Sequence, residues 1–177
     1  MPSGPDLDAL RAEALAAVER YAVAAFEEEA EFVPGTTSVS VAGKVIGSSE
    51  MRTLVDAALD GWLTEGRYAI EFRARLAEVT ERPQIALVGS GSQANLLAVA
   101  ASRSHLHERP LQPGDEVITP AVGFPTTVAP LYQHGLRPVY VDVEPDTYNP
   151  SLETFADAIG PRTRGILAAH CLSLIHI

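Results

Sequence analysis

The chain has 177 residues, 46% of them hydrophobic and 20% charged, with a mean hydropathy of +0.08, enough for one domain of ordinary size with its own core. No run approaches the ~18 consecutive apolar residues of a membrane span, and no basic region followed by an apolar one opens the chain, so neither membrane insertion nor secretion is expected. The 13 basic against 23 acidic residues leave a formal charge of −10, which repels nucleic acid and anionic membrane over long range, and the single cysteine, Cys171, excludes an internal disulfide and fits a reducing compartment, the cytoplasm.

Residues 6–31 are rich in Ala, Leu and Glu. Apolar side chains at Leu10, Ala14, Val18, Tyr21 and Ala25 predict a helix with one face against a partner. The acidic end, Glu27, Glu28, Glu29 and Glu31, reads as a solvated face, and Pro34 ends the helix. Residues 36–46 mix β-formers and turn formers and predict an extended arm. Ser48 is expected to cap a second helix reaching about Leu59. Asp60-Gly61-Trp62-Leu63-Thr64-Glu65-Gly66-Arg67 is a loop bracketed by glycines, and a third helix is expected over 68–79. Short apolar runs then alternate with helices: strands at 85–88, 116–119, 138–143 and 165–169, helices at 92–102, 125–134 and 151–159. That alternation predicts βαβ units in an α/β fold, a mainly parallel sheet flanked by helices.

Two loops carry the chemistry. Gly89-Ser90-Gly91-Ser92-Gln93-Ala94-Asn95 lies between a strand and a helix. A helix start offers unpaired N–H groups and the positive end of the dipole, glycine permits close approach, and serine adds donors, a set that suits a phosphate dianion. Simple capping would use the same residues. Gly123-Phe124-Pro125-Thr126-Thr127 follows the next strand, on the side of an open α/β sheet where ligands bind. Phe124 could lie on a planar heterocycle or belong to the core.

These segments, with Pro113-Gly114-Asp115-Glu116-Val117-Ile118-Thr119 and Ala169-His170, stand in one order from about Pro34 to His170. In that order they resemble the DegT/StrS family of pyridoxal-phosphate (PLP) sugar aminotransferases, and within it the nucleotide-sugar 3-dehydrases typified by CDP-4-keto-6-deoxyglucose 3-dehydrase. Gly89 and Gln93 depart from that branch, which usually has Asn and Ser there. The resemblance implies the PLP-dependent transferase fold of type I with an incomplete large domain: helices and arm over 1–80, then the first part of the PLP-binding domain over 81–171. Ser90, Gly91 and Ser92 would hold the cofactor phosphate and Phe124 would stack on its ring. Thr64, Gly66 and Arg67 would sit at the sugar-binding mouth. His170 fits a position near the cofactor but is not taken as catalytic.

The carboxylate for the pyridinium nitrogen and the Schiff-base lysine, which PLP chemistry requires, belong after the strand at 165–169 in this fold. Lys44, the one lysine, lies upstream of the phosphate loop. The resembled dehydrases put histidine in place of lysine, use pyridoxamine phosphate (PMP), and carry a two-iron two-sulfur cluster on C-terminal cysteines, reduced by a partner reductase. The expectations are therefore a PMP-dependent 3-dehydrase of a nucleotide-linked 4-keto-6-deoxyhexose, serving 3,6-dideoxysugar and lipopolysaccharide synthesis, or a PLP-dependent sugar aminotransferase. Either would be a homodimer at full length, and the 177 residues alone are expected to be inactive, with no catalytic residue and no metal site. A non-catalytic phosphate- or nucleotide-binding module is the reading from another class. Leu172-Ser173-Leu174-Ile175-His176-Ile177 is the translation of CTG TCT CTT ATA CAC ATC, which resembles a transposon-derived sequencing adapter. Residues 172–177 are therefore read as a non-native tail and Cys171 as a junction residue.

Overall fold

The computed structural model describes residues 5–26, 32–39, 43 and 45–169. The acidic run from Glu27, Lys44, His170, Cys171 and the tail at 172–177 lie outside the described residues. The chain divides into two compact units, residues 1–87 and 88–177.

The first unit is helical: α1 (Leu7–Phe26), α2 (Ser48–Leu59) and α3 (Arg67–Thr80). Asp6 caps α1, its carboxylate accepting from the amides of Asp8 at 3.1 Å and Ala9 at 3.2 Å. The face of α1 that packs on α2 is centred on Arg11, Leu15, Val18 and Ala22, with Leu15 and Ala22 buried. Leu10 and Tyr21, expected on that face, are exposed. The rotation follows from Arg11, whose guanidinium reaches two carboxylates on α2 and so fixes which residues one and two turns on face inward. Ser48 is the first residue of α2 rather than its cap. Gly47 holds the cap position and donates its N–H to Glu50 at 2.8 Å, which pulls the Glu50 carboxyl below its ordinary range. Residues 34–37 form a turn, and no strand occurs in the described part of the arm.

The second unit runs α4 (Gly91–Ser102), β1 (Glu116–Pro120), α5 (Pro125–Gln133), β2 (Arg137–Val141), α6 (Leu152–Ala158) and β3 (Thr163–Ile166). The described sheet is parallel, in the order β2-β1-β3. β1 is central and its residues from Val117 to Pro120 are buried, with Ile118 fully so. A two-faced central strand reads as a continuous apolar run, and Val117-Ile118 shows it. Val99 of α4, Val117 of β1, Leu131 of α5 and Leu136 form the core, with Leu111 and Leu167 against it. Gly114 (φ +90°) and Gly135 (φ +70°) turn the chain on either side of this core, joined by a Gly114 N–H to Gly135 carbonyl bond of 2.8 Å.

The strand expected at 85–88 is absent: those residues form no regular element and pair with no described strand. An apolar run becomes a strand only when a neighbour accepts its backbone bonds, and none of the three described strands does so here. The last strand ends at Ile166 rather than 169, although the Leu167 N–H still donates to the Ile118 carbonyl at 2.9 Å.

Candidate functional site

The cleft of the second unit opens beyond the carboxyl ends of β1 and β2, with a volume of about 400 Å³. Thr119, Gly123, Phe124, Thr127, Tyr132 and Tyr140 are among its walls. Phe124 occupies the cap position of α5, and Pro125 stands at the first helical position, where a missing N–H costs nothing. The phenyl ring is 68% exposed, so it is a surface beside the cleft and not core.

Ser90 caps α4, its hydroxyl oxygen accepting from the Gln93 N–H at 3.2 Å. Gln93 Oε1 in turn accepts from the Gly89 N–H at 2.8 Å. The two departures from the dehydrase pattern thus form one reciprocal cap, and Gly89 suits it because a Cβ there would lie 3.0 Å from Gln93 Oε1. The amides of Gly91 and Ser92 have no acceptor among the described residues. Capping and anion binding are therefore compatible, since the cap uses the Ser90 lone pair and the Gln93 amide and leaves the two amides before them.

The two loops meet through Thr126. Ser92 Oγ donates to Thr126 Oγ1 at 3.1 Å and Asn95 Nδ2 donates to the Thr126 carbonyl at 3.3 Å. Both hydroxyls are second residues of their helices, so the amino ends of α4 and α5 lie side by side and their positive ends add. Thr126 and Asn95 stood in the two motifs, but nothing in a linear pattern showed that they bond to each other. Tyr132 and Tyr140 were missed as cleft residues. Their hydroxyls are 3.4 Å apart, and the neighbouring Tyr132 hydroxyl pushes the Tyr140 phenol above its ordinary range. Thr119 Oγ1 is buried at the floor without a hydrogen-bond partner among the described residues. No Asp, Glu, Lys or His is among the described lining residues, so the cleft itself supplies no strong acid or base.

Thr64, Gly66 and Arg67 belong to the first unit, around a pocket of about 210 Å³ at the start of α3. Gly66 caps α3 and Thr64 is exposed. Arg67 is bonded to two carboxylates of α2: Nε to Asp60 at 2.9 Å and Nη2 to Asp56. Arg11 joins the same pair, with Nε to Asp56 at 2.7 Å and Nη2 to Asp60 at 2.7 Å. Tyr68 donates to Asp56 at 2.6 Å and lies under the Arg67 guanidinium, 4.3 Å from its carbon. The Tyr68 hydroxyl, then Arg67 and Arg11, hold the Asp56 carboxyl far below the carboxylate range; Arg67 and then Arg11 lower Asp60. Both guanidiniums are raised by their carboxylate partners, and Asp56 raises the Tyr68 phenol. Two acids four residues apart on a helix were the legible half of this quartet; their partner on α1 was not.

A parallel sheet flanked by helices is the architecture this chain shares with PLP-dependent enzymes of fold type I. A solved GDP-4-keto-6-deoxymannose-3-dehydratase with a trapped PLP-glutamate geminal diamine superposes with a TM-score of 0.66 at 32% identity, over 73% of this chain and 33% of that one. The chain belongs to the DegT/DnrJ/EryC1/StrS aminotransferase family, whose profile matches residues 44–174. It is 49% identical over 142 residues to the lipopolysaccharide biosynthesis protein RfbH of Salmonella typhimurium, covering 80% of this chain and 32% of that protein. It is 44% identical over 147 residues to the dTDP-4-dehydro-2,6-dideoxy-D-glucose 3-dehydratase of Saccharopolyspora spinosa, covering 82% and 32%. The chain thus spans about a third of the length of these relatives.

Proposed function

We propose that the chain is the phosphate- and ring-holding part of a PLP- or PMP-dependent 3-dehydrase of a nucleotide-linked 4-keto-6-deoxyhexose, with CDP-4-keto-6-deoxyglucose as the substrate. The observation that carries the reading is the Ser92–Thr126 bond, which ties the Gly-Ser loop to the loop that carries Phe124, a wall of the cleft. Two loops tied in this way suit an anionic tail attached to a flat ring. The amides of Gly91 and Ser92 would receive the phosphate, with Ser90 as the cap that keeps them aimed. Ser92 would share its hydroxyl between Thr126 and a phosphate oxygen. Phe124 would cover one ring face and keep water from it. The cofactor, once bound, supplies the electron sink for breaking the C3–O bond. Thr64 and Gly66 would lie along the sugar.

The identities to RfbH and to a 3-dehydratase, with the run Leu59-Asp60-Gly61-Trp62-Leu63-Thr64, support the dehydrase over the aminotransferase. On the same reading the whole protein is a cytoplasmic homodimer with a two-iron two-sulfur cluster served by a reductase. The test is cofactor uptake by a protein extended to the length of its relatives. It should purify yellow with PLP or loaded with PMP, Ser92→Asp should abolish uptake by charge repulsion, and Phe124→Ala should weaken it by roughly two- to tenfold, the ~0.5–1.5 kcal/mol of stacking. Failure to take up either vitamer at millimolar supply would sink the assignment.

A further inference from the structure

α1 carries more apolar surface than its contact with α2 uses. About a quarter turn round from the face of Arg11, Leu15, Val18 and Ala22 stands a second row: Leu7, Leu10, Ala14, Ala17, Tyr21 and Ala24. The row alternates steps of three and four residues, the heptad spacing by which helices pair. Leu7, Leu10 and Tyr21 on it are 74%, 51% and 65% exposed. Tyr21 is braced by an edge-on contact with Phe26, with 6.2 Å between ring centroids. This is the apolar spacing that the sequence shows and the α1–α2 contact leaves unused. α1 also lies ahead of residues 44–174, the stretch the family profile matches, and it has no part in the cofactor cleft. A contiguous bare apolar row marks a surface that another chain covers.

The charges beside the row say what covers it. Arg11 is bonded to carboxylates of α2, and Glu19 is paired with Arg52 at 3.8 Å. Glu13 and Arg20 flank the row on the side away from α2, and neither has an ion pair among the described residues. In a parallel pair of such helices Glu13 would stand opposite Val18 and Arg20 opposite Ala25, and Tyr21 would meet its own copy. In an antiparallel pair Ala14 stands on Ala17, Leu10 on Tyr21 and Leu7 on Ala24. Glu13 of each helix then meets Arg20 of the other, and two-fold symmetry makes that ion pair twice. The alanines at the centre let the axes approach to about 8 Å, and antiparallel dipoles attract. The face is thus complementary to itself in one orientation only.

We infer that α1 docks antiparallel on α1 of a second copy of this chain, with Ala14 against Ala17 at the centre and Glu13 against Arg20 on either side. The inference rests on the geometry of the first unit and not on the cofactor or the substrate, so it stands or falls apart from the 3-dehydrase reading.

The test is disulfide cross-linking of the 177-residue chain in a Cys171→Ser background, which removes the one native cysteine. Ala14→Cys and Ala17→Cys chains of different mass are mixed and oxidised with copper phenanthroline. The unlike disulfide, between one chain of each kind, should form several-fold faster than either like one, because only the unlike pair stands directly opposite. Ala12→Cys, off the row, should stay monomeric by the same assay. Glu13→Arg alone and Arg20→Glu alone should each slow the unlike cross-link by roughly three- to tenfold, as two exposed ion pairs allow, and the double variant should restore it. That rescue separates a contact from damage to the helix, which circular dichroism reads independently. The same cysteine pair should cross-link in the protein extended to the length of its relatives. Like disulfides forming as fast as unlike ones, cross-linking through Ala12→Cys at the same rate, or no rescue by the double variant would overturn the inference. So would loss of the cross-link in the extended protein, where the remaining chain would then be what covers the row.

Discussion

Glu81 closes α3 with φ 54° and ψ 32°, a left-handed conformation that costs a side chain about 1–2 kcal/mol and glycine nothing. Glu81→Gly should therefore raise the thermal midpoint, by a net ~0.5–1 kcal/mol after glycine's greater freedom in the unfolded chain is allowed for. Differential scanning calorimetry of the two forms checks it. At Ser90 the sign is opposite: Ser90→Ala removes the acceptor of the Gln93 amide and should cost about 1 kcal/mol, read as a lowered urea midpoint. Single residues were where the sequence was both most and least legible. Ser90 and Phe124 occupy the cap positions their motifs imply, because Gly-Ser and Phe-Pro restrict the backbone locally. The pairing of Gln93 with Gly89 was not legible, since a glutamine three residues past a cap can equally point to solvent. Tyr132 and Tyr140 come together from different elements, and only the packing of α5 against β2 brings them into contact.

At the level of elements, the helices were readable because apolar spacing and stop signals are local. Ser48–Leu59 ends where expected and starts one residue early, with Gly47 rather than Ser48 as its cap, and Gly91–Ser102 and Pro125–Gln133 fall within a residue of their expected bounds. The inward face of α1 was not readable, because it depends on the ion pairs of Arg11 with Asp56 and Asp60 rather than on hydrophobicity. The segment at 85–88 was misjudged for a related reason: its composition favours a strand, but pairing is a property of neighbours. The quartet makes a prediction about acid. Asp56 and Asp60 are depressed in the folded chain, so their contribution is complete above the ordinary carboxylate value of about 4 and is lost as pH falls through the folded values. The helical signal of the first unit should stay level from neutral pH to about 5 and weaken below 4. Asp56→Asn should flatten that acid limb, and an unchanged acid profile in the variant would contradict the assignment. Tyr68, raised by Asp56, acts in the opposite sense, its share being present below about 10 and lost as pH rises through the folded value.

On the scale of the whole molecule, the described sheet has two open edges, β2 and β3, with Tyr140 and Ile166 each half exposed. Open edges and bare apolar side chains favour association between copies. The 177-residue chain should accordingly sediment as a mixture of assemblies and hold no PLP with useful affinity, whereas a protein extended to the relatives' length should be monodisperse. A uniform, cofactor-loaded preparation of the short chain would refute this. The core that remains is narrow. Leu131→Ala, at a side chain 1% exposed and touching the centre of the cluster, should cost roughly 2–5 kcal/mol and abolish cooperative melting of the second unit.

β1 alone has ladders on both sides, and Ile118 and Thr119 are its most deeply covered residues. Their amides should be the last in the chain to trade hydrogen for deuterium, outlasting those of β2 and β3. The ground beneath the cleft would then keep its shape while its rim opens and closes, so that a visiting ligand meets a settled base before the sides have gathered around it.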